Sequence, residues 1–203
     1  MDSKAILDNL MKNFEHPDYV HTQDIPNIDL YMDQVLTFLN SQFESHKRTD
    51  EEKSLTKAMI NNYSKNHVLP APDKKKYSRD HVLAIIFIYY FKSFLSIKDI
   101  QEILTPLTEN FFSEIKSDVD LFEVYSQVVD TNRSQMGTLK NDIFEKFMKS
   151  RESFEGASAD EQEYLQNLTF LCLLGMDVYF KKMLIEKLID SDFLGTKEEE
   201  KKD

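Results

Sequence analysis

Three observations predict an all-α chain with at most a tiny β element. Only four glycines and five prolines occur in 203 residues, against many Leu, Ile, Phe, Lys and Glu. A chain so poor in turn formers is mostly helix. Apolar residues recur at helical spacing over most of its length. Between residues 70 and 77 that periodicity stops at Pro70-Ala-Pro-Asp-Lys-Lys-Lys-Tyr77, where a turn with a strand residue or two on each side fits better than a helix.

Residues 3–14 carry Ile6, Leu7, Leu10, Met11 and Phe14 at amphipathic spacing, and the following connector, 16–27, holds Pro17 and Pro26. A second helix is expected over 29–43 with Leu30, Val35, Leu36 and Leu39 inward; Asp29 and Asp33 suit the positive end of its dipole. The third has several candidate N-caps: Thr49 with Glu52 as a capping box, Ser54, or Thr56. A start near Ser54 makes Leu55, Met59 and Ile60 its buried stripe. It stops before Pro70, because a residue preceding proline is pushed to extended geometry.

Ser78 can cap a fourth helix over 79–92, whose run Val82–Phe91 is apolar nearly all round and therefore buried on several sides. Ser96 can cap a fifth, ending before Pro106, with 107–116 as a short separate helix. From 119 to 153 the stripe Tyr125, Val129, Asn132, Met136, Leu139, Ile143 and Phe147 repeats every ~3.67 residues, the signature of a straight bundle helix rather than a left-handed coiled coil. The Gly156 region breaks it, and Ser158 with Glu161 opens a last helix over 159–189, before a charged tail.

The formal net charge is −11, but it is unevenly placed. Residues 1–52 carry −7, residues 53–104 carry +5 and residues 105–203 carry −9. Positive charge coincides with the third helix and the turn after it. Two helices followed by a cationic turn and a supporting helix pair is the layout of a winged helix-turn-helix, which offers one helix to a DNA groove and one loop to phosphates. The expected organisation is an N-terminal helix and connector (1–27), a winged helix-turn-helix (28–104), an acidic helical dimerisation and effector bundle (105–195) and a charged tail (196–203).

Within that layout the candidate DNA contacts fall in two groups. Lys53, Lys57, Asn61, Asn62 and Lys65 follow one another along the third helix, where Asn suits adenine and Lys suits guanine or phosphate. Asn61 and Asn62 are poor helix formers mid-helix, so they need a reason: base contact, or fastening of the turn. Tyr63 is expected to pack its ring, with its hydroxyl within reach of a phosphate. Lys74, Lys75, Lys76, Tyr77 and Arg79 form the second group, tracking the backbone and adding affinity without sequence choice.

Other chemistries find little support. The five histidines are scattered, with no ligand pair at helical spacing, so no metal site is expected. No phosphate-cradling glycine loop or nucleophile motif occurs, and no catalytic role or cofactor is expected. The lone Cys172 excludes an internal disulfide and reads as a packed core thiol in a reducing compartment. The N-terminus has no signal-peptide pattern, and both apolar runs, Val82–Phe91 and Leu168–Phe180, fall short of the ~20 residues of a membrane span. A cytoplasmic protein follows. The aromatics of the C-terminal part, among them Phe111, Phe112, Phe122, Phe144, Phe147, Phe170, Tyr179 and Phe180, suit a core, a homodimer interface, or a pocket for a small apolar effector.

The order of signals also resembles a named family. Met59-Ile-Asn-Asn-Tyr63, continuing to Val68-Leu69, stands where MerR-type regulators carry their Arg-Tyr-Tyr recognition motif and its Leu-Leu end. Lys76-Tyr77 stands at the Gly-Tyr of their wing, and the segment from Phe94 to Leu104 at their Gly-Phe-Ser-Leu segment. Asn61 and Asn62 replace Arg and Tyr, His67 and Phe94 replace glycines, and Ser78 replaces the usual Arg. With the segment Ile28–Val35, the pattern is similar to a bacterial family of uncharacterised proteins carrying this MerR-like domain. The resemblance implies a winged helix-turn-helix and a DNA-binding transcriptional regulator, and no particular ligand. The competing class is a non-catalytic adaptor that uses the same scaffold for protein contacts; the net charge and the missing arginine in the third helix favour it.

Overall fold

The computed structural model of the chain describes residues 3–13, 19–49, 51–52, 54–112 and 119–195. Phe14, Lys53, residues 113–118 and the charged tail from 196 lie outside the described residues. Among those described the fold is all-α but for one two-stranded sheet: α1 (Ser3–Asn13), β1 (Leu30–Tyr31), α2 (Met32–Gln42), α3 (Lys57–Lys65), β2 (Lys76–Tyr77), α4 (Arg79–Phe91), α5 (Ile97–Phe111), α6 (Leu121–Arg151) and α7 (Ala159–Asp190). No helix among the described residues is long and apolar enough to cross a membrane. Two compact units result, one of Met1–Pro17 with Val129–Ile185, the other of Asp18–Val128 with Glu186–Asp203.

The unit centred on 18–128 is built round α4. Every residue from His81 to Ile88 is buried, as the lack of a polar face requires. Ser78 caps the helix at its start, and His81 completes a capping box in place of the usual Glu. Neighbours enclose α4 through rings: Phe43 stacks on Tyr89 at 3.6 Å and Tyr125 meets Phe87 edge-on at 5.6 Å. The Tyr125 hydroxyl donates to the Val20 carbonyl at 2.7 Å, and the Val20 N–H donates to the Tyr90 hydroxyl at 3.4 Å. Burial raises the pKa of both tyrosines, so both hydroxyls stay protonated.

Some local expectations change. α3 starts at Lys57 with Thr56 as its cap, whose hydroxyl accepts the Met59 N–H at 3.3 Å. Thr49 and Glu52 form a turn instead, in which the Glu52 carboxylate accepts the Arg48 N–H at 2.7 Å. Pro106 does not end the fifth helix. α5 runs through it to Phe111, because Ile100 and Leu104 before it and Leu107 after it share an apolar stripe. Continued burial outweighs the ~3 kcal/mol typical of an internal proline. Strand β2 also finds its partner far away in sequence: Leu30 pairs with Tyr77 and Tyr31 with Lys76, antiparallel.

Asn40 was not singled out by periodicity, yet it joins α2 to the entrance of α3. Its amide donates to the Leu55 carbonyl at 3.0 Å and its carbonyl accepts the Leu55 N–H at 2.7 Å, like a rung of a sheet.

The second unit packs Leu7 and Met11 of α1 against Phe147, with Ile143 and Phe170 beside them. Buried Gln166 clasps the turn between α6 and α7 by donating to the carbonyls of Arg151 at 2.8 Å and Ser153 at 2.9 Å.

Removing the Asn40 clasp should destabilise the core of this unit without touching any exposed residue. Asn40→Ala should cost about 1–3 kcal/mol, since it leaves two backbone groups of buried Leu55 without partners. A chemical-denaturation midpoint equal to that of the native chain would contradict this.

Candidate nucleic-acid interface

α3 buries Ile60 and Tyr63 and turns its other face to water. Lys57, Asn61 and Lys65 lie four residues apart along that face, all exposed, with Asn62 beside them. Lys57 and Lys65 have no ion pair and Asn61 no side-chain hydrogen bond among the described residues. Asn62 is used differently: Asn66 donates to its side-chain oxygen at 3.1 Å and to its carbonyl at 2.8 Å, fastening the last turn.

That end is a Schellman turn. The Val68 N–H reaches the Tyr63 carbonyl at 2.9 Å and the His67 N–H reaches Ser64 at 3.1 Å. His67 occupies the left-handed position with φ 55°, where glycine is usual. Buried Val68 and Leu69 then anchor the chain as it enters the wing.

The wing tip is a two-residue turn. The Lys76 N–H closes on the Asp73 carbonyl at 2.8 Å, and Lys74 (φ 46°) and Lys75 (φ 66°) are both left-handed. This is the geometry of a type I′ hairpin turn, which ordinarily selects Asn-Gly. Both lysines are exposed and have no ion pair among the described residues. Lys76 lies 5.6 Å from the centre of the Tyr31 ring, a cation–π contact.

Residues 20–128, just over half of the chain, match the family described as "Domain of unknown function (DUF1836)". The chain belongs to that family. No curated protein and no solved structure matches it.

The DUF1836 match ends at residue 128, where the first stretch of that compact unit, Asp18–Val128, also ends. Within this domain Tyr63 and Tyr77 are each only 4 % exposed, so neither offers a ring or hydroxyl to a ligand on this surface. Burial lifts the pKa of both. They belong to the core because their aromatic area is worth more there than a phosphate contact is outside. Arg79 is half-buried too, its guanidinium carbon 3.4 Å from the centre of the Phe122 ring and its Nε buried without a hydrogen bond among the described residues. It braces the wing base rather than extending into solvent. Lys53 lies outside the described residues.

His81 sits beneath the wing, edge-on to Tyr77 at 5.6 Å and to Phe112 at 4.6 Å. Its Nδ1 accepts the Ser78 N–H at 3.1 Å, which makes the ring a neutral acceptor at that atom. Burial lowers its pKa, against smaller opposing effects of the Ala71 backbone and Asp29. The aromatics named for the C-terminal part fall in both units. Phe112 and Phe122 belong to the DUF1836 domain, Phe144, Phe147 and Phe170 to the other unit, and Tyr179 and Phe180 are exposed; the Phe111 side chain lies outside the described residues. Cys172 is also exposed rather than packed.

Sequence reading missed Tyr31 and Asn66, and it placed Phe122 among the C-terminal aromatics rather than under Arg79. Tyr31 and Asn66 stood within segments already noted, but their roles depend on a partner strand and on a cap that only folding supplies.

Two outcomes follow. His67→Gly should raise stability by about 1 kcal/mol, roughly 2–4 °C in Tm, by removing the left-handed strain; an unchanged or lower Tm would show that the His67 ring contributes more than the strain costs. Because folding lowers the pKa of His81, the unfolded chain binds more protons below its ordinary value of 6.5. The contribution is present above pH 6.5 and lost as pH falls from there toward the lowered value. Urea midpoints measured at pH 7.5 and 5.5 should therefore drop for the native chain and drop less for His81→Gln. Equal drops would remove His81 from the explanation.

Proposed function

We propose that this DUF1836 protein is a MerR-like, DNA-binding transcriptional regulator, working in the cytoplasm and without catalysis. α3 would enter the major groove with Asn61 toward base edges and Lys57 and Lys65 flanking it. The wing over 70–79 would rest on neighbouring phosphates through Lys74, Lys75 and Lys76. One such reader covers few base pairs, so the working form would be a two-fold dimer.

The observation that carries the reading is the wing tip. Two adjacent lysines occupy left-handed positions that cost each of them roughly 1–2 kcal/mol, where Asn-Gly would cost little. Strain of this kind, at an exposed tip with no internal partner, is what a contact site retains. The element order of β1, α2, α3, wing, α4 and α5 supports a winged helix, and so does the pairing of the wing with β1. The adaptor reading rests on the net charge of −11 and an α3 without arginine.

The test is duplex binding at several salt concentrations. Lys74, Lys75 and Lys76 together changed to Ala should weaken all sequences alike and lower the slope of log K against log salt by up to about 2.7, at ~0.9 per phosphate. Asn61→Ala should keep that slope and relax preference at one or two base pairs by about 1–3 kcal/mol. Lys74→Asn with Lys75→Gly should raise Tm while lowering affinity. If the native chain retards no duplex at low salt, the adaptor reading takes its place.

A further inference from the structure

α7 carries an apolar face that no described residue of its own unit covers. Tyr164 (66 %), Leu171 (64 %), Val178 (63 %) and Tyr179 (57 %) are more than half exposed, and Leu168 lies between the first two. Tyr164, Leu168, Leu171, Gly175 and Val178 alternate steps of four and three, so they form one stripe along the helix. At roughly 120 Å² each the five exposed side chains amount to about 600 Å², three quarters of the ~800 Å² that each partner gives to a standard interface. A patch of that size stands at the upper end of what monomers leave in water, and such patches are often functional.

The face is also without charge. From 164 to 180 the sole charged residue is Asp177, and its carboxylate is held by Lys146 at 2.9 Å. Lys146 is shared with Asp142 on α6. In a chain of net charge −11, such a neutral face is where two copies can meet without facing like charge. Gly175 sits in the middle of the stripe. A Cβ there would meet nothing within 4 Å, so packing inside the chain does not demand glycine. Glycine in a helix interior costs about 1 kcal/mol against alanine, and close approach of a second backbone is what it permits.

We infer that the exposed face of α7 is the surface on which a second copy of this chain docks, two α7 helices crossing antiparallel about a two-fold axis at Gly175. In that arrangement Leu171 meets the partner's Tyr179, and the contact is self-complementary. The inference rests on the dimer in the proposed function, not on its DNA contacts.

Light scattering on the full chain without DNA tests it. The native chain should run at twice 23.9 kDa at tens of micromolar. Leu171→Lys with Val178→Lys should give a monomer with unchanged circular dichroism, because both positions are exposed. Gly175→Leu favours the helix but blocks the approach, so it should raise the dimer dissociation constant by about tenfold or more while leaving Tm no lower. A native monomer overturns the inference, and a native monomer that sediments with anionic vesicles gives the face to lipid instead. A lysine double variant that stays dimeric overturns it as well. A chain that dimerises through α7 yet retards no duplex leaves this inference standing and ends the DNA reading alone.

Discussion

From His81 to Ile88 every residue of α4 is buried, so the helix has no side it can leave to water and its neighbours must enclose it. The segment at 19–20 is held by the hydroxyls of Tyr90 and Tyr125, Phe43 stacks on Tyr89, and α5 keeps its helix through Pro106. Each of these costs something local: an ordered loop, or a lost helical hydrogen bond. Burial of a continuous apolar helix offsets those costs because it removes several large side chains from water at once. The capping box that opens α4 then fixes where the wing must end, since Ser78 follows directly on β2.

That anchoring is what lets the surface elements hold strained geometry. His67, Lys74 and Lys75 all adopt left-handed φ, and each lies within a few residues of buried side chains: Val68 and Leu69 on one side, Tyr77 on the other. A flexible loop would relax out of such conformations. Here the Schellman turn and the β1–β2 pairing over-determine the backbone, so positively charged side chains are presented from a rigid turn. A cationic tip on a rigid support loses little entropy when it meets a polyanion. The other unit differs in kind: α7 has apolar residues round most of its circumference, and its unit uses part of them.

Much of the domain was legible in the sequence. Helical periodicity, the caps at Ser78 and Ser96, and the interruption at 70–77 are local signals, and local signals follow from backbone chemistry that acts over a few residues. The concentration of Lys57, Lys65 and Lys74–Lys76 within an otherwise acidic chain was equally readable, as was membership of an uncharacterised family. Pro106 was misread because a proline's local penalty is visible in sequence while the stripe that overrides it is summed over a whole helix. Cys172 was misread for a related reason: an apolar neighbourhood in sequence does not say which faces of a helix find partners.

The sequence by itself determined an all-α chain, the order of its helices, where its positive charge falls and that α4 must be buried. These depend on composition and on periods of a few residues. Only the tertiary structure decided that Tyr63 and Tyr77 belong to the core, that Arg79 lies on Phe122, that Lys76 and Tyr77 pair with Leu30 and Tyr31, and that Asn40 clasps Leu55. Each of those joins groups from separate segments, and such pairings are fixed by packing and hydrogen-bond satisfaction over the whole unit, which no window of sequence contains.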